Sequence, residues 1–329
     1  MRRRSTLLIL IAALAGLGLL ALFIGRYPKP YWMPVHLLWE DELAQRLVLN
    51  LRLPRLLVSV MLGASLASSG AVMQMLFRNP LVEPGFLGVS QGAAFGAALS
   101  ILLVTSNPLG VAASAALFAL LGLAASYTLA RRIRYGGWVL RLLLAGIAVS
   151  AFFSAGVGIL KYLADPAKQL PEIVFWLLGG LSSVTWSDFV YIFPIVLTGL
   201  VVILLMRWRL NLLSLSDETA FSLGVAVGRE RTLLLVASVA ITAAVISVAG
   251  LVGWIGLIVP LIARRMGGAN AAVSLPLAMA LGGIFGLVCD TLARTLLAGE
   301  IPLGIITSLL GALVFLVLMM RPGVKGGGE

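Results

Sequence analysis

Charged residues are scarce in this sequence, and cysteine and histidine are almost absent. Of 329 residues only 11% are charged, and there is one cysteine, Cys289, and one histidine, His36. A soluble domain usually has about 25% charged residues, so a water-soluble enzyme is excluded. One cysteine and one histidine also exclude a disulfide framework, a pair of haem ligands, or a Cys/His zinc site built by this chain alone. We predict no metal site and no catalytic residues.

A phosphate-binding loop is missing as well. The sequence contains no G-x-x-x-x-G-K-[ST] segment, so the chain cannot supply an ATPase site. No grouping of His, Cys and Asp indicates hydrolysis or redox chemistry. Energy for any work that the protein performs must therefore come from a partner.

Apolar residues, in contrast, make up 60% of the chain, and the mean hydropathy is +1.08. A membrane-spanning helix needs about 20 apolar residues, and short polar breaks separate about ten such segments. We therefore predict an all-α polytopic membrane protein with a single transmembrane domain over residues 1–329. The predicted spans are 6–25, 54–76, 88–105, 108–130, 140–163, 187–206, 232–250, 254–266, 272–294 and 302–320, with a short helix at about 171–181 that does not cross by itself.

Basic residues are distributed unevenly between alternate loops. With the N-terminus in the cytoplasm, 16 of the 24 Lys and Arg residues fall in cytoplasmic segments, as the positive-inside rule requires. An even number of spans then places the C-terminus in the cytoplasm too. The net charge of +11 is explained by this topology, and no nucleic-acid partner is predicted.

Six sequence segments, taken together, resemble one family of permeases. They are R-L-P-R (52–55), S-G-A-x-M-Q (69–74), R-N-P-L-V-E-P-G-F-L-G-V-S (78–90), W-L-L-G-G-L (176–181), G-L-I-V-P-x-x-A-R-R (256–265) and I-P-L-G-I-I-T-S-L-L-G-A-L-V-F (301–315). Their order and spacing are similar to those of the FecCD family, the permease subunits of type II ABC importers. The resemblance implies the type II ABC importer permease fold and a location in a bacterial or archaeal cytoplasmic (inner) membrane.

The resemblance also implies partners and a cargo. A homodimer in the lipid bilayer is expected to bind two ATP-binding subunits on the cytoplasmic side and one substrate-binding protein outside. ATP and Mg²⁺ would be held by the ATPase subunits, and no cofactor by this chain. The expected cargo is a metal chelate such as a ferric siderophore, haem or cobalamin, although relatives also carry oxyanions such as molybdate. The alternative is an ion-coupled secondary transporter, which needs charged groups in mid-membrane.

Residues 215–231 are polar enough to leave the bilayer. Ser216 is suited to capping a helix, with Asp217 and Glu218 near its positive end. An ordinary amphipathic loop would look similar. The resemblance to the Glu-Ala-Ala loop of ABC permeases instead implies two short coupling helices that insert into the ATPase. The residues predicted for coupling are Ser216, Asp217, Glu218, Phe221, Leu223, Gly224 and Arg229.

Three arginines are expected on the outer face. Arg52 and Arg55 lie at the start of the second predicted span, and Arg294 ends the ninth. The resemblance implies that these residues form salt bridges with glutamates on the two lobes of a binding protein, whereas snorkelling to the membrane interface is the alternative. For Asp290, a salt bridge to Arg294 at i+4 is favoured over an ion site.

Two gates complete the prediction. The Arg78-Asn79-Pro80 turn is polar, and such a turn is tolerated at membrane depth only where it is buried or lines a cavity. The resemblance implies a cytoplasmic gate at Asn79, Pro80, Leu81 and Trp138. It also implies a periplasmic gate at Trp176, Gly179 and Gly180, although Trp176 would equally suit an interfacial aromatic belt.

Overall fold

Fifteen α-helices make up the computed structural model, which describes residues 2–28, 31–104 and 107–320. The helices are α1 (Arg2–Phe23), α2 (Leu37–Glu40), α3 (Glu42–Arg46), α4 (Leu53–Leu76), α5 (Val89–Leu99), α6 (Pro108–Arg132), α7 (Trp138–Leu163), α8 (Gln169–Leu178), α9 (Trp186–Leu205), α10 (Arg207–Leu213), α11 (Asp217–Ser222), α12 (Val227–Ala249), α13 (Ile255–Gly267), α14 (Ala271–Thr295) and α15 (Leu303–Met320). A π-helix (Leu47–Arg52) leads into α4, a second π-helix (Ser100–Val104) continues α5, and a 3₁₀ turn (Pro84–Leu87) precedes α5.

Eight of the described helices are long and apolar enough to cross a bilayer, namely α1, α4, α6, α7, α9, α12, α14 and α15. The segment Val89–Val104 and helix α13 are shorter, and together the ten elements match the ten predicted spans. At 1.5 Å per residue, α13 covers about 20 Å of a hydrocarbon core of about 30 Å. Both short helices follow a residue with a left-handed backbone, Gly88 (φ 79°) and Trp254 (φ 72°).

Several bounds and short elements differ from the prediction. The helix predicted at 171–181 is α8, which ends at Leu178, because Gly179 adopts φ 68° and cannot continue the helix. The short helices α2, α3 and α10 were missed, as was the π-helix Leu47–Arg52. Each has seven residues or fewer, and segments of that length show too little periodicity for a pattern to indicate them.

The central helices are α4, α12 and α14, most of whose residues are buried, whereas α1 is mostly exposed. Small residues let these helices approach closely, as in other membrane bundles. A Cβ on Gly63 of α4 would lie 1.9 Å from the carbonyl oxygen of Gly282 in α14. Likewise, a Cβ on Gly92 of α5 would lie 2.3 Å from the Phe118 carbonyl of α6. Small residues of α4 and α5 therefore form helix contacts.

The helix bundle has two ends, which we call the Asp217 end and the Arg55 end. At the Asp217 end, α4 ends and α7 and α12 begin, because contacts join Phe77, Trp138, Arg231 and Asp217 there. At the Arg55 end, α4 begins and α14 ends. Helix α1 also ends, and α15 begins, at the Arg55 end, so both of these terminal helices extend towards the Asp217 end.

Candidate functional site

Helix α11 at the Asp217 end is capped as its sequence predicts. The Ser216 hydroxyl accepts a hydrogen bond of 3.2 Å from the backbone N–H of Thr219, which satisfies one of the free donors at the helix start. Asp217 and Glu218 occupy the first turn, where the helix dipole favours negative charge. The first turn of α11 is therefore polar, whereas Ala220 of the same helix is buried.

The residues after the cap present an apolar surface to solvent. Phe221 is 76% exposed and Leu223 is 54% exposed. Gly224 follows with φ 78°, a left-handed conformation that a side chain resists. The chain therefore turns sharply at Gly224, next to two large apolar side chains that are mostly exposed.

The coupling segment differs from the prediction of two short helices. Only α11 is a separate short helix, and the second part of the segment is the first turn of the long helix α12. Arg229 is an exposed residue of that turn. Val225 is buried, and the apolar run from Leu233 onward continues the helix into the bundle, so no second break occurs.

Asp217 is held by a buried arginine from α12. Arg231 donates hydrogen bonds of 2.6 Å from Nη2 to Oδ1 and 3.3 Å from Nη1 to Oδ2. These hydrogen bonds and the positive charge of Arg231 hold the pKa of Asp217 below its ordinary value. Because a lowered pKa favours the carboxylate, the pair is intact at neutral pH and is lost only as the pH falls through that lowered pKa.

Arg231 also contacts a predicted gate residue. Its guanidinium carbon lies 4.4 Å from the ring centroid of Trp138, a cation–π contact. Trp138 in turn packs against Phe77, with 5.5 Å between the ring centroids. Trp138 precedes the predicted span 140–163 but is the first residue of α7, which begins two residues after Gly136 with its φ of 78°.

The turn after α4 brings the other predicted gate residues to the same end. Asn79 accepts a hydrogen bond of 2.9 Å from the backbone N–H of Leu81, which closes the turn around Pro80. Leu81 is 53% exposed. Arg78 adopts a left-handed backbone with φ 50°, and its guanidinium donates a hydrogen bond to the carbonyl of Leu215, next to the cap of α11.

At the Arg55 end, Arg55 joins two carboxylates. Its Nε donates a hydrogen bond of 2.8 Å to Oδ1 of Asp290, and its Nη1 donates to Oε1 and Oε2 of Glu300 at 2.7 and 2.9 Å. The side chains of Arg55 and Asp290 are only 11% and 3% exposed. The predicted pair of Asp290 with Arg294 is present, but its N–O distance is 3.8 Å, so Arg55 is the principal partner of Asp290.

The other two arginines of this end bind the end of α1. Arg294 donates a hydrogen bond of 2.6 Å to the carbonyl of Ile24 and another to that of Ala21. Arg52 donates one of 2.8 Å to the carbonyl of Leu22. The last carbonyls of a helix lack partners and attract cations. All three predicted docking arginines therefore have partners within the chain.

These arginines still line an open pocket. The pocket has a volume of about 270 Å³, and Arg26, Arg52, Arg55, Arg294 and Glu300 contribute to its wall. Four guanidinium groups against one lining carboxylate make it positively charged. A negatively charged group from outside the chain is the ligand that such a pocket attracts.

The predicted periplasmic gate residues are tied to two other helices. The backbone N–H of Gly180 donates to the carbonyl of Ala249 at 2.8 Å, and the carbonyl of Gly179 accepts from Leu303 at 2.8 Å. A Cβ on Gly179 would lie 2.3 Å from the Leu251 carbonyl. Trp176 is partly exposed and lines a pocket of about 250 Å³. The end of α8 therefore lies between α12 and α15.

Sequence reasoning missed Arg231 and Glu300. Arg231 lies near the start of α12, where the helix dipole disfavours a cation, and such a misplaced charge indicates a carboxylate partner. Glu300 offered a weaker signal, as a lone acidic residue between two apolar spans. Its partner Arg55 is 245 positions away, and a single sequence does not show such a pairing.

The comparison with known protein families decides the class of the chain. The model of the FecCD transport family matches residues 9–321. The chain belongs to the FecCD transport family. This permease is 38% identical over 330 residues to the molybdate import system permease protein MolB of Haemophilus influenzae, covering 98% of this chain and 95% of that protein. It is 43% identical over 284 residues to the hemin transport system permease protein HmuU of Yersinia pestis, covering 85% of each.

A solved structure supports the same assignment. It is described as an inward-facing conformation of a metal-chelate type ABC transporter, and it matches with a TM-score of 0.89 at 37% identity over 96% of this chain and 99% of that chain. The predicted fold and family are confirmed. The protein is a multi-pass membrane permease of an ABC importer, which works with an ATPase and has no catalytic function of its own. The alternative of an ion-coupled secondary transporter is wrong.

Proposed function

We propose that this permease imports a metal chelate, such as a ferric siderophore, haem or cobalamin, delivered by a substrate-binding protein. Two copies of the chain form a homodimer with the pathway along the twofold axis. Two ATPase subunits, which hold ATP and Mg²⁺, bind at the Asp217 end, and one binding protein docks at the Arg55 end. The match of residues 9–321 to the FecCD model carries this proposal.

The Asp217 end faces the cytoplasm in this proposal. The positive-inside rule supports it, since the arginine-bearing ends of α6 and α13, with Arg131, Arg132, Arg264 and Arg265, lie at this end. Both termini are then cytoplasmic. Helix α11 is placed to enter the ATPase, and the exposed Phe221 and Leu223 supply its apolar contacts.

The Arg55 end then faces outward and receives the binding protein. The positively charged pocket with Arg52, Arg55 and Arg294 in its wall suits carboxylates on the two lobes of that protein. In the homodimer the pocket occurs twice across the axis, so that two acidic groups would fix the register of docking. Opposite charges also accelerate the encounter.

Alternating access follows from the two gates. The cytoplasmic gate consists of the turn Asn79, Pro80 and Leu81 together with Trp138. The periplasmic gate consists of Trp176, Gly179 and Gly180. We infer that ATP binding moves α11 and opens one gate as the other closes. The pathway is then never open to both sides of the membrane at once.

Molybdate is the second candidate cargo. MolB of Haemophilus influenzae, whose name states molybdate import, is similar to this chain over 98% of its length. Relatives named for hemin and for iron chelates match at 42–43% identity over 85–87% of the chain. We expect the binding protein to recognise the transported ligand, because two pockets of the permease, beside Trp254 and beside Gly256, are lined largely by small and apolar residues.

Transport in proteoliposomes tests the proposal. The permease would be reconstituted with the ATPase and binding protein encoded beside it, and uptake of radiolabelled ferric chelates, haem, cobalamin and molybdate would be compared with and without ATP. ATP-dependent uptake of a metal chelate is the expected result. Uptake of molybdate alone would select the second candidate, and uptake without the ATPase would contradict the importer mechanism.

A further inference from the structure

One carboxylate of the coupling helix contacts arginines from two other parts of the Asp217 end. Asp217 accepts two hydrogen bonds from Arg231 of α12, and Oδ1 of Asp217 is also 3.9 Å from Nη2 of Arg78. Arg78 belongs to the turn of the cytoplasmic gate, and Arg231 lies against the ring of Trp138. The first residue of α11 is therefore connected to both halves of that gate.

The connection through Arg231 is the more constrained one. The Arg231 side chain is 7% exposed, whereas that of Arg78 is 47% exposed. The Nε of Arg231 has no hydrogen-bond partner in the described part of the chain, so the charge of Arg231 is stabilised by the carboxylate of Asp217 and the face of the Trp138 ring. A buried guanidinium that loses its carboxylate partner is left as an uncompensated charge, which destabilises the folded protein strongly.

Trp138 also contacts the end of α4. Its ring packs on Phe77, the residue that ends α4, and Phe77 directly precedes Arg78 and the gate turn. Since Arg78 binds the carbonyl of Leu215 beside α11, the contacts form a closed circuit. Displacement of either Asp217 or Trp138 from this circuit would remove one of the two groups that contact the Arg231 guanidinium.

We propose that Arg231 is a positioning residue that transmits the displacement of α11 to Trp138 and so to the cytoplasmic gate. This inference rests on the proposed function, in which the ATPase moves α11. While the Asp217–Arg231 pair is intact, a shift of α11 carries the guanidinium and the indole ring with it. Without Arg231, α11 still binds the ATPase through Phe221 and Leu223, but its movement no longer reaches the gate.

A thiol at the gate reports that movement directly. Cys289 is the only cysteine of the chain, so Cys289→Ala with Leu81→Cys gives a single reporter on an exposed gate residue. The complex with the ATPase, in nanodiscs, is treated with a charged maleimide with and without ATP and vanadate. In this parent the labelling rate is expected to change with nucleotide.

In the Arg231→Met variant we expect the labelling rate to be the same with and without nucleotide. Complex formation and basal ATP hydrolysis should stay within about twofold, while uptake falls about tenfold, because the contact to the gate and not the ATPase surface is lost. Arg231→Lys keeps the positive charge and can still make a cation–π contact, although without the planar guanidinium, so it should recover part of the response. Arg132→Met removes an exposed arginine from the same end and is the matched control with a parental response.

Two further variants keep the proposal open to contradiction. Trp138→Leu leaves the ion pair but removes the ring, and it should lose the nucleotide response as Arg231→Met does. The double variant should be no worse than either single one, as expected for residues acting in one path. A parental response in Trp138→Leu, or in an assembled Arg231→Met complex, overturns the proposal. A parent complex with no nucleotide response, or no bound ATPase, contradicts the proposed function instead.

Discussion

Arg55 and Asp290 lie 235 positions apart in the sequence, and their side chains are joined by a hydrogen bond of 2.8 Å in the interior of the protein. The pair fixes the start of α4 against the end of α14, and Glu300 extends it to the loop before α15. Because both side chains are almost fully buried, the pair is a structural requirement of the end of the bundle where the binding protein is proposed to dock.

Removing one partner of this buried pair should destabilise the permease strongly. We expect Arg55→Met to lower the free energy of unfolding by about 3–5 kcal/mol, since the buried carboxylate of Asp290 would lose its principal partner and keep only Arg294 at 3.8 Å. The exposed pair of Arg46 with Glu42 is the control, and Arg46→Met should cost only about 0.5 kcal/mol. Thermal unfolding of the detergent-solubilised protein measures both, and equal shifts in Tm would show that burial of the Arg55 pair is unimportant.

The close packing of α4 against α14 predicts that a larger residue at Gly63 destabilises the protein. A Cβ on Gly63 would collide with the Gly282 backbone, which cannot rotate away as a side chain would. Gly63→Val should therefore cost at least about 1–3 kcal/mol, as overpacking does, and lower the yield of monodisperse protein. Gly16→Val places the same side chain on α1, where, apart from the neighbouring residues of α1 itself, no described residue lies within 4 Å of the new Cβ, and it should leave Tm unchanged. A parental Tm for Gly63→Val would contradict the helix contact described here.

The bend at Gly224 should be required for coupling. Valine resists the φ of 78° found there, so Gly224→Val is expected to uncouple ATP hydrolysis from uptake. Asparagine tolerates a left-handed backbone better than other residues with side chains, so Gly224→Asn should retain most transport. Hydrolysis and uptake would be measured together in proteoliposomes. Full transport by Gly224→Val would show that the bend has no role in coupling.

Docking of the binding protein is best tested at Arg52. Glutamine keeps a donor for the Leu22 carbonyl but removes the charge, so Arg52→Gln should fold normally. We expect the affinity for the binding protein to fall about two- to fivefold at low salt, as for partly exposed ion pairs, and the salt dependence to weaken. Arg294 is unsuitable, because its hydrogen bonds hold the end of α1.

Lys168→Gln provides the control for that experiment. Lys168 is exposed before α8 at the same end of the bundle, and its replacement changes the net charge by the same amount. Binding in nanodiscs at low and high salt would compare the two variants. An equal loss in both would indicate a general effect of charge, and no loss in Arg52→Gln would mean that this arginine only anchors α1.

The sequence by itself determined the membrane class, the ten spans and the segments with functional roles. Long apolar runs leave no other solvent than the bilayer, and the Ser216 cap depends on neighbours along one helix. Such local patterns are visible in a single chain. They also located the coupling segment and the turn of Asn79 to Leu81.

Tertiary structure alone decided which side chains meet. The principal partners of Asp217 and Asp290 are Arg231 and Arg55, and neither of these two pairings follows from helical spacing, since desolvation and long-range packing select them. The same packing buries the side chains of Arg55 and Arg294, which were expected to be exposed because they lie at the ends of predicted spans. It also joined Trp138 to α11 through Arg231, because helices that are distant in the sequence end at the same side of the bundle.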